Sequence, residues 1–275
     1  MAFAIPGRVC GVNEQPNTET PEDVDAPSER PTFGRRVLGW LGEGAIIVVG
    51  AIVIAVLLRT FIGQMFVIPS GSMQNTIDVG DRVFVSKLGG FQRGDVVVFE
   101  DPDHWLGTTQ TADPGPLQRG LEFVGLVPTS GTEHLIKRVI GMPGDHVRLN
   151  DEGKIEVNGQ ALDETPYLFA ENGVQVEPAT VPFDIVVPAG HIFVMGDHRN
   201  ASGDSRCRLA NVKQGEPQGM AAFIPVDKVV GSAVAIVAPL DRLSTFVVPE
   251  TFASVPDPAE PAPDKPVLHH VEPGC

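Results

Sequence analysis

A chain of 275 residues, 42% of them hydrophobic, is long enough for one large or two small domains, and a mean hydropathy of +0.06 fits a globular body with one membrane segment. A net charge of −15 excludes a nucleic-acid binder, because phosphates demand a basic surface. Three cysteines without a C-x-x-C and seven histidines without an H-E-x-x-H support neither a metal nor any other cofactor, so none is expected.

Residues 1–36 are rich in Pro, Glu, Asp and Thr with no apolar period, which predicts a disordered tail. Residues 44–58 are uninterrupted apolar sequence, extended by Trp40 and Leu41 before and Thr60-Phe61-Ile62 after. Together they predict a single transmembrane anchor over 37–62, in contact with the lipid bilayer, with Glu43 and Arg59 near its two ends. A cleaved signal peptide does not fit, since the apolar run starts too far in and no Ala-x-Ala-like site closes it. A buried soluble helix is the remaining alternative. Arg30, Arg35 and Arg36 precede the span and Arg59 alone follows closely. That asymmetry predicts a cytoplasmic N-terminus and an extracytoplasmic domain at the cytoplasmic membrane.

From residue 63 the pattern becomes that of a mostly β domain, expected over 63–248 and built of antiparallel sheets. Arg82-Val83-Phe84-Val85, Val96-Val97-Val98-Phe99, His146-Val147-Arg148-Leu149, Ile155-Glu156-Val157 and Ile192-Phe193-Val194-Met195 are short, β-branched and bounded by turns. Asn158-Gly159 signals a tight hairpin. Gly-Asp pairs at 80, 94, 144 and 196 punctuate the run, and the valine-rich 229–237 reads as a late core strand. Gly- and Pro-rich inserts are expected near 101–133 and 167–188, and a disordered Pro/acidic tail over 249–275. His269-His270 in that tail reads as solvated polar sequence. Cys207 is either a free thiol or paired with Cys275.

Two short stretches suggest chemistry. Pro69-Ser70-Gly71-Ser72-Met73 follows the apolar span, and Ile136-Lys137-Arg138-Val139-Ile140-Gly141 comes later. A serine needs an adjacent base to become a nucleophile. Lysine can be that base only as the neutral amine, so its pKa must fall from ~10.4, and burial among apolar residues lowers it. Leu135, Ile136, Val139 and Ile140 supply those neighbours. The plain alternative is a lysine at a strand edge and a serine capping a turn.

The wider pattern decides between them. Phe66-Val67-Ile68-Pro69-Ser70-Gly71-Ser72-Met73, Asp78-Val79-Gly80-Asp81-Arg82, Arg93-Gly94-Asp95, Lys137-Arg138-Val139-Ile140-Gly141-Met142-Pro143-Gly144-Asp145 and Gly196-Asp197-His198-Arg199-Asn200-Ala201-Ser202-Gly203-Asp204-Ser205-Arg206 stand in order behind a membrane segment. In this order they resemble the bacterial type I signal peptidases. One departure is Asn75, where that family usually has a proline, and a less rigid turn is expected from it.

The resemblance implies a membrane-anchored serine endopeptidase that removes signal peptides from exported preproteins after small-x-small residues. Ser72 would be the nucleophile and Lys137 the general base. Ser70 would supply an oxyanion-hole hydroxyl, the alternative being a turn hydroxyl bonded to its own backbone. Ser202 would hold the lysine amine. Phe66, Ile68 and Ile136 match substrate-pocket positions, with a plain core role equally open. Arg138, Asp197, Asp204 and Arg206 read as structural ion pairs beside the site. A self-cleaving repressor and an inactive anchored scaffold that binds exported chains are the competing readings. The span and the lack of a basic DNA-binding helix pair oppose the first, and the presence of all four serine and lysine positions opposes the second.

Overall fold

The computed structural model describes residues 33–102, 105, 115–116 and 134–275, without the side chains of 33–39 and 41–42. Most of the expected insert at 101–133 and nearly all of the expected tail at 1–36 therefore lie outside the described residues. Helix α1 spans Phe33–Phe61, and within it Glu43–Phe61 has a mean hydropathy of 2.5. Ile46, Ile47, Val49 and Ile54 on it are exposed, as a lipid-facing surface requires.

Fifteen strands follow among the described residues: β1 Gly63–Val67, β2 Arg82–Ser86, β3 Val96–Glu100, β4 His134–Gly141, β5 His146–Leu149, β6 Ile155–Val157, β7 Gln160–Ala161, β8 Ala170–Glu171, β9 Val174–Gln175, β10 Phe183–Val186, β11 His191–Met195, β12 Ile224–Pro225, β13 Val229–Ala238, β14 Ser244–Thr245 and β15 Val267–Val271. The first sheet runs β1-β2-β13-β3-β4-β11-β12, with β14 paired to β13. The second runs β15-β10-β5-β6-β7, and β8-β9 form a separate hairpin. Every strand pairing among the described residues is antiparallel, as expected for a chain of short alternating strands.

The Gly-Asp pairs act as punctuation for a definite reason. Gly80, Gly94 and Gly144 have φ of 94°, 86° and 91°, a left-handed turn position open to glycine. The aspartate after each closes the turn with its side chain: Asp81, Asp95 and Asp145 accept hydrogen bonds from the N–H groups of Asp78, Gln92 and Met142 at 2.7–2.8 Å. Asn158 and Gly159, with φ of 51° and 81°, make the two-residue hairpin between β6 and β7.

Residues 229–237 form most of β13, which lies between β2 and β3 inside the first sheet. One core cluster gathers Ile68, Met73, Ile77, Val83, Val85, Val96, Val98 and Ile136 beneath the turn that carries Ser72. A second, around Ile140, Val147, Ile185, Phe193 and Phe223, joins the two sheets.

Two expectations need correction. The stretch 249–275 is ordered, not a free tail. Phe252 and Val255 are buried in the core, β15 pairs with β10, and Cys275 is disulfide-bonded to Cys207. Its few apolar residues are spaced as anchors, so proline-rich sequence between them is held against the domain. The stretch 167–188 is likewise more than an insert. Tyr167, Leu168, Phe183, Ile185 and Val187 are buried, and β10 is an interior strand of the second sheet.

Candidate active site

Ser72 sits in a tight turn after β1, built by Gln74 N–H donating to Gly71 O and Ile77 N–H donating to Met73 O. Met73 and Ile77 are fully buried and anchor that turn from below. Lys137 lies on β4, whose neighbours Leu135 and Val139 enter one core cluster and Ile136 another. Both side chains are buried, Ser72 at 7% and Lys137 at 3% exposure. Lys137 Nζ lies 2.6 Å from Ser72 Oγ and 2.9 Å from Ile136 O.

Burial lowers the Lys137 pKa to about 8, against the opposing pull of Asp204 and Asp197. Those two carboxylates are themselves neutralised. Arg138 grips Asp197 through two bonds, Nε to Oδ1 at 2.8 Å and Nη2 to Oδ2 at 2.6 Å. Arg206 does the same to Asp204, both bonds at 2.9 Å. For Asp204, burial favours the neutral acid, but Arg206 and the Gly196 N–H outweigh it and hold the pKa below the usual carboxylate range. A carboxylate left unpaired here would keep the lysine charged.

The loop 196–206 is fixed by this network. Gly196 N–H donates to Asp204 Oδ2, Val194 N–H to Ser205 Oγ, and Arg206 Nη2 to Arg199 O. Arg199 forms a third buried pair, with Glu164, which also accepts from Tyr167 Oη at 2.7 Å. Arg138 in turn lies over the Tyr167 ring, 4.2 Å from its centroid.

Ser202 is in this cluster, and its hydroxyl makes no hydrogen bond to the Lys137 amine in this structure. A Cβ on Gly196 would fall 2.3 Å from Ser202 Oγ and 2.5 Å from Ser72 O, so Ser202, Gly196 and Ser72 pack against one another. Ser202 Oγ is nevertheless buried without a hydrogen bond of good geometry, lying close enough to Asp204 to favour that carboxylate's charge. Lys137 Nζ turns to Ile136 O instead.

Ser70 is exposed, and among the described residues its hydroxyl makes no bond to its own backbone, the alternative left open above. No acceptor among the described residues takes the Ser72 N–H either. Of the three pocket positions, Ile68 and Ile136 are core residues at 3% and 7% exposure, while Phe66 packs on that core half-buried.

Asn75 makes the turn different rather than looser. Its φ of 82° is closed to proline, whose ring holds φ near −65°, and open to asparagine. Its Nδ2 donates to Leu168 O at 3.3 Å, and Thr76 Oγ1 next door donates to Asp197 Oδ2 at 2.5 Å. A cavity of about 790 Å³ opens on this side, lined by Asn75, Thr76, Arg138, Tyr167 and Phe246 rather than by Ser72 or Lys137.

Sequence reasoning missed His198. Its backbone N–H donates to Ser72 O at 3.1 Å, its Nδ1 lies 3.2 Å from Gly71 O and 3.0 Å from Gln74 Oε1, and its ring stacks on Phe169. Its place beside Asp197 in the Gly196-to-Arg206 box was the available signal.

The family model for signal peptidases, peptidase S26, matches residues 41–238. A signal peptidase I of Mycobacterium tuberculosis is 33% identical over 240 residues, 80% of this chain and 77% of that protein. A probable signal peptidase I of Mycobacterium leprae is 33% identical over 273 residues, covering 85% and 88% of the two chains. A signal peptidase I of Pseudomonas fluorescens is 32% identical over 206 residues, 66% of this chain and 67% of its own. The crystal structure of a signal peptidase I from Enterococcus faecalis overlaps 53% of this chain with a TM-score of 0.30 and 18% identity, too loose a likeness to add to the argument. The chain belongs to the signal peptidase family, peptidase S26, and is a membrane-associated serine-type hydrolase of signal-peptide processing.

Proposed function

We propose that this peptidase works through a Ser72/Lys137 dyad and cuts exported preproteins after small-x-small residues, on the outer face of the cytoplasmic membrane. The observation that carries the reading is the 2.6 Å approach of Lys137 Nζ to Ser72 Oγ, with a lysine pKa brought down to about 8 by burial. At neutral pH roughly a tenth of such a lysine is unprotonated, enough for a general base near its working pH.

In the reactive form the neutral amine donates to Ile136 O and takes the Ser72 hydroxyl proton on its lone pair. Ser72 Oγ then attacks the scissile carbonyl. The developing oxyanion would meet the Ser72 N–H and the Ser70 hydroxyl, neither of which has a partner among the described residues. The lysinium returns the proton to the leaving amine, which departs as the mature N-terminus. A water deprotonated by the same amine then hydrolyses the acyl-serine, restoring Ser72. Ser202, whose buried hydroxyl lacks a partner, would accept from the Lys137 ammonium when the charge forms, because a buried polar group without a bond is costly.

The substrate enters as an added strand. Among the described residues β1 pairs only with β2, which leaves its outer edge open there. On β4, β11 pairs with Arg138, Val139 and Gly141, so the edge at 135–137 has no strand beside it on that side among the described residues. Phe66 lies between these edges, its ring 5.1 Å from His134, and both edges lead to the dyad. An extended peptide there gains backbone hydrogen bonds while its alternate side chains point inward. Phe66 would line the site, with Ile68 and Ile136 as its floor.

Arg35 and Arg36 ahead of the span favour an inside N-terminus. Proteolysis of intact spheroplasts tests this, expecting digestion of the 62–275 domain and protection of residues 1–36. Cleavage of a preprotein by Ser72→Ala and Lys137→Ala tests the dyad. Each should abolish it, and the double variant should be no worse, since residues acting as a unit are grossly non-additive. A Lys137→Ala enzyme retaining more than about a tenth of wild-type rate would remove Lys137 as the base.

A further inference from the structure

The outer face of the second sheet carries a group of ligands that proteolysis does not use. In β5 and β10, Val147 and Ile185 are cross-strand partners and fully buried, so His146 and Asp184, one residue away on each strand, face outward. His146 Nε2 lies 2.6 Å from Asp184 Oδ1, a diagonal contact between neighbouring strands. On the other side of β10 the register of β15 breaks. Asp184 pairs with His270 and Ile185 with Leu268, leaving His269 as the extra residue of a bulge. The His269 ring meets the His146 ring edge-on, centroids 5.6 Å apart. One ligand atom from each of His146, Asp184 and His269 then lies within 4.8 Å of the other two.

We propose that His146, Asp184 and His269 bind a divalent transition-metal ion, zinc foremost, which fastens β15 to the second sheet. Two imidazole nitrogens and a carboxylate oxygen are a zinc donor set, with water completing the tetrahedron. Donor atoms ~2.0–2.1 Å from a tetrahedral zinc stand ~3.4 Å apart. The ion therefore opens the His146–Asp184 contact and draws His269 inward, movements that side-chain rotation supplies because the strand register already sets the three together. His146 and Asp184 are 39% and 27% exposed and His269 is exposed, so the ion enters from solvent. Arg148, the cross-strand partner of Asp184, is engaged by Glu156 at 2.7 Å, which leaves the Asp184 charge to the metal. His270 turns instead towards Glu272 at 3.3 Å and stands outside the set. The histidines bind as neutral imidazoles, so any proton held between His146 and Asp184 leaves to solvent as the ion binds.

The position gives the site its use. Beyond β15 the chain runs to Cys275, whose disulfide partner Cys207 lies in the short helix Ser205–Arg208 just after Ser202 and Asp204. Metal and disulfide thus hold the two ends of one short tether between the second sheet and the loop beside the dyad.

The test uses the full chain in detergent, without a histidine tag, stripped with EDTA and dialysed, then titrated with zinc against a chromophoric chelator. Wild type should take up one zinc per chain, and His146→Ala and His269→Ala should each weaken binding at least ~10-fold, while His270→Ala matches wild type. Zinc should raise the thermal midpoint of wild type and leave that of His269→Gln, which melts like the stripped wild type, unmoved. No stoichiometric uptake by wild type, wild-type affinity in His269→Ala or His269→Gln, or a loss in His270→Ala equal to that in His269→Ala would each overturn the site.

Discussion

Gly196 and Ser72 are packed so closely that a single methyl group has no room between them: a Cβ on Gly196 would fall 2.5 Å from the Ser72 carbonyl oxygen. His198 N–H donates to that same carbonyl, so the loop 196–206 fixes the nucleophile turn from one side. Gly196→Ala should displace Ser72 and lower kcat by about 100-fold, the usual cost of a misplacement near 1 Å. Cleavage kinetics beside a thermal melt check this. A variant that loses stability but keeps kcat would place the importance of Gly196 in folding alone.

Arg206→Met should move the pH profile as well as the stability. It leaves Asp204 buried and unpaired, which costs about 3–5 kcal/mol. Asp204 is also the larger of the two charges that raise the Lys137 pKa, so the rise of kcat/KM should shift above the wild-type value. Denaturant unfolding and a pH–rate series on the same preparation measure both. An unchanged profile would mean that Asp204 does not act on Lys137.

Asn75→Pro should inactivate the enzyme. A φ of 82° excludes the ring, and the bond to Leu168 O is lost. Asn75→Gly keeps the backbone and should hold most activity. Peptide cleavage by the two variants decides, and an active proline variant would contradict the turn described here.

Lys137→Met should stabilise the fold at neutral pH. Below pH 8 the lysine is charged in both states, and burying that charge costs ~3 kcal/mol when the pKa falls from 10.5 to about 8. The unfolded chain binds the extra proton between these values, so wild-type stability rises from pH 8 to 10.5 and the advantage of methionine disappears. Denaturant melts at pH 6 and pH 10.5 read it. A constant difference would show that folding does not lower the Lys137 pKa.

The boxes around Ser72 and Lys137 were readable because each is a local run in which every residue has a near neighbour to answer to. The same holds for β2, β3, β5, β6 and β11, and for the Asn158-Gly159 hairpin, where alternation and turn residues are local. The stretch 249–275 was not readable, because its order comes from Phe252 and Val255 entering a distant core, from pairing with β10 and from Cys207. Nothing within a proline-rich window reports such partners. His198 and the hydrogen bond from Lys137 to Ile136 O also depend on contacts made only after the sheets assemble.

The role of Lys137 as base for Ser72 is read from the pH dependence of kcat/KM for a preprotein with alanines before the cut. A neutral Lys137 base should give a rise of tenfold per pH unit that levels off through an apparent pKa of about 8, and no activity at any pH for Lys137→Arg, whose guanidinium stays protonated. A rate that stays flat from about pH 5 to pH 10, or an arginine variant that cleaves, would contradict a neutral Lys137 as the base for Ser72.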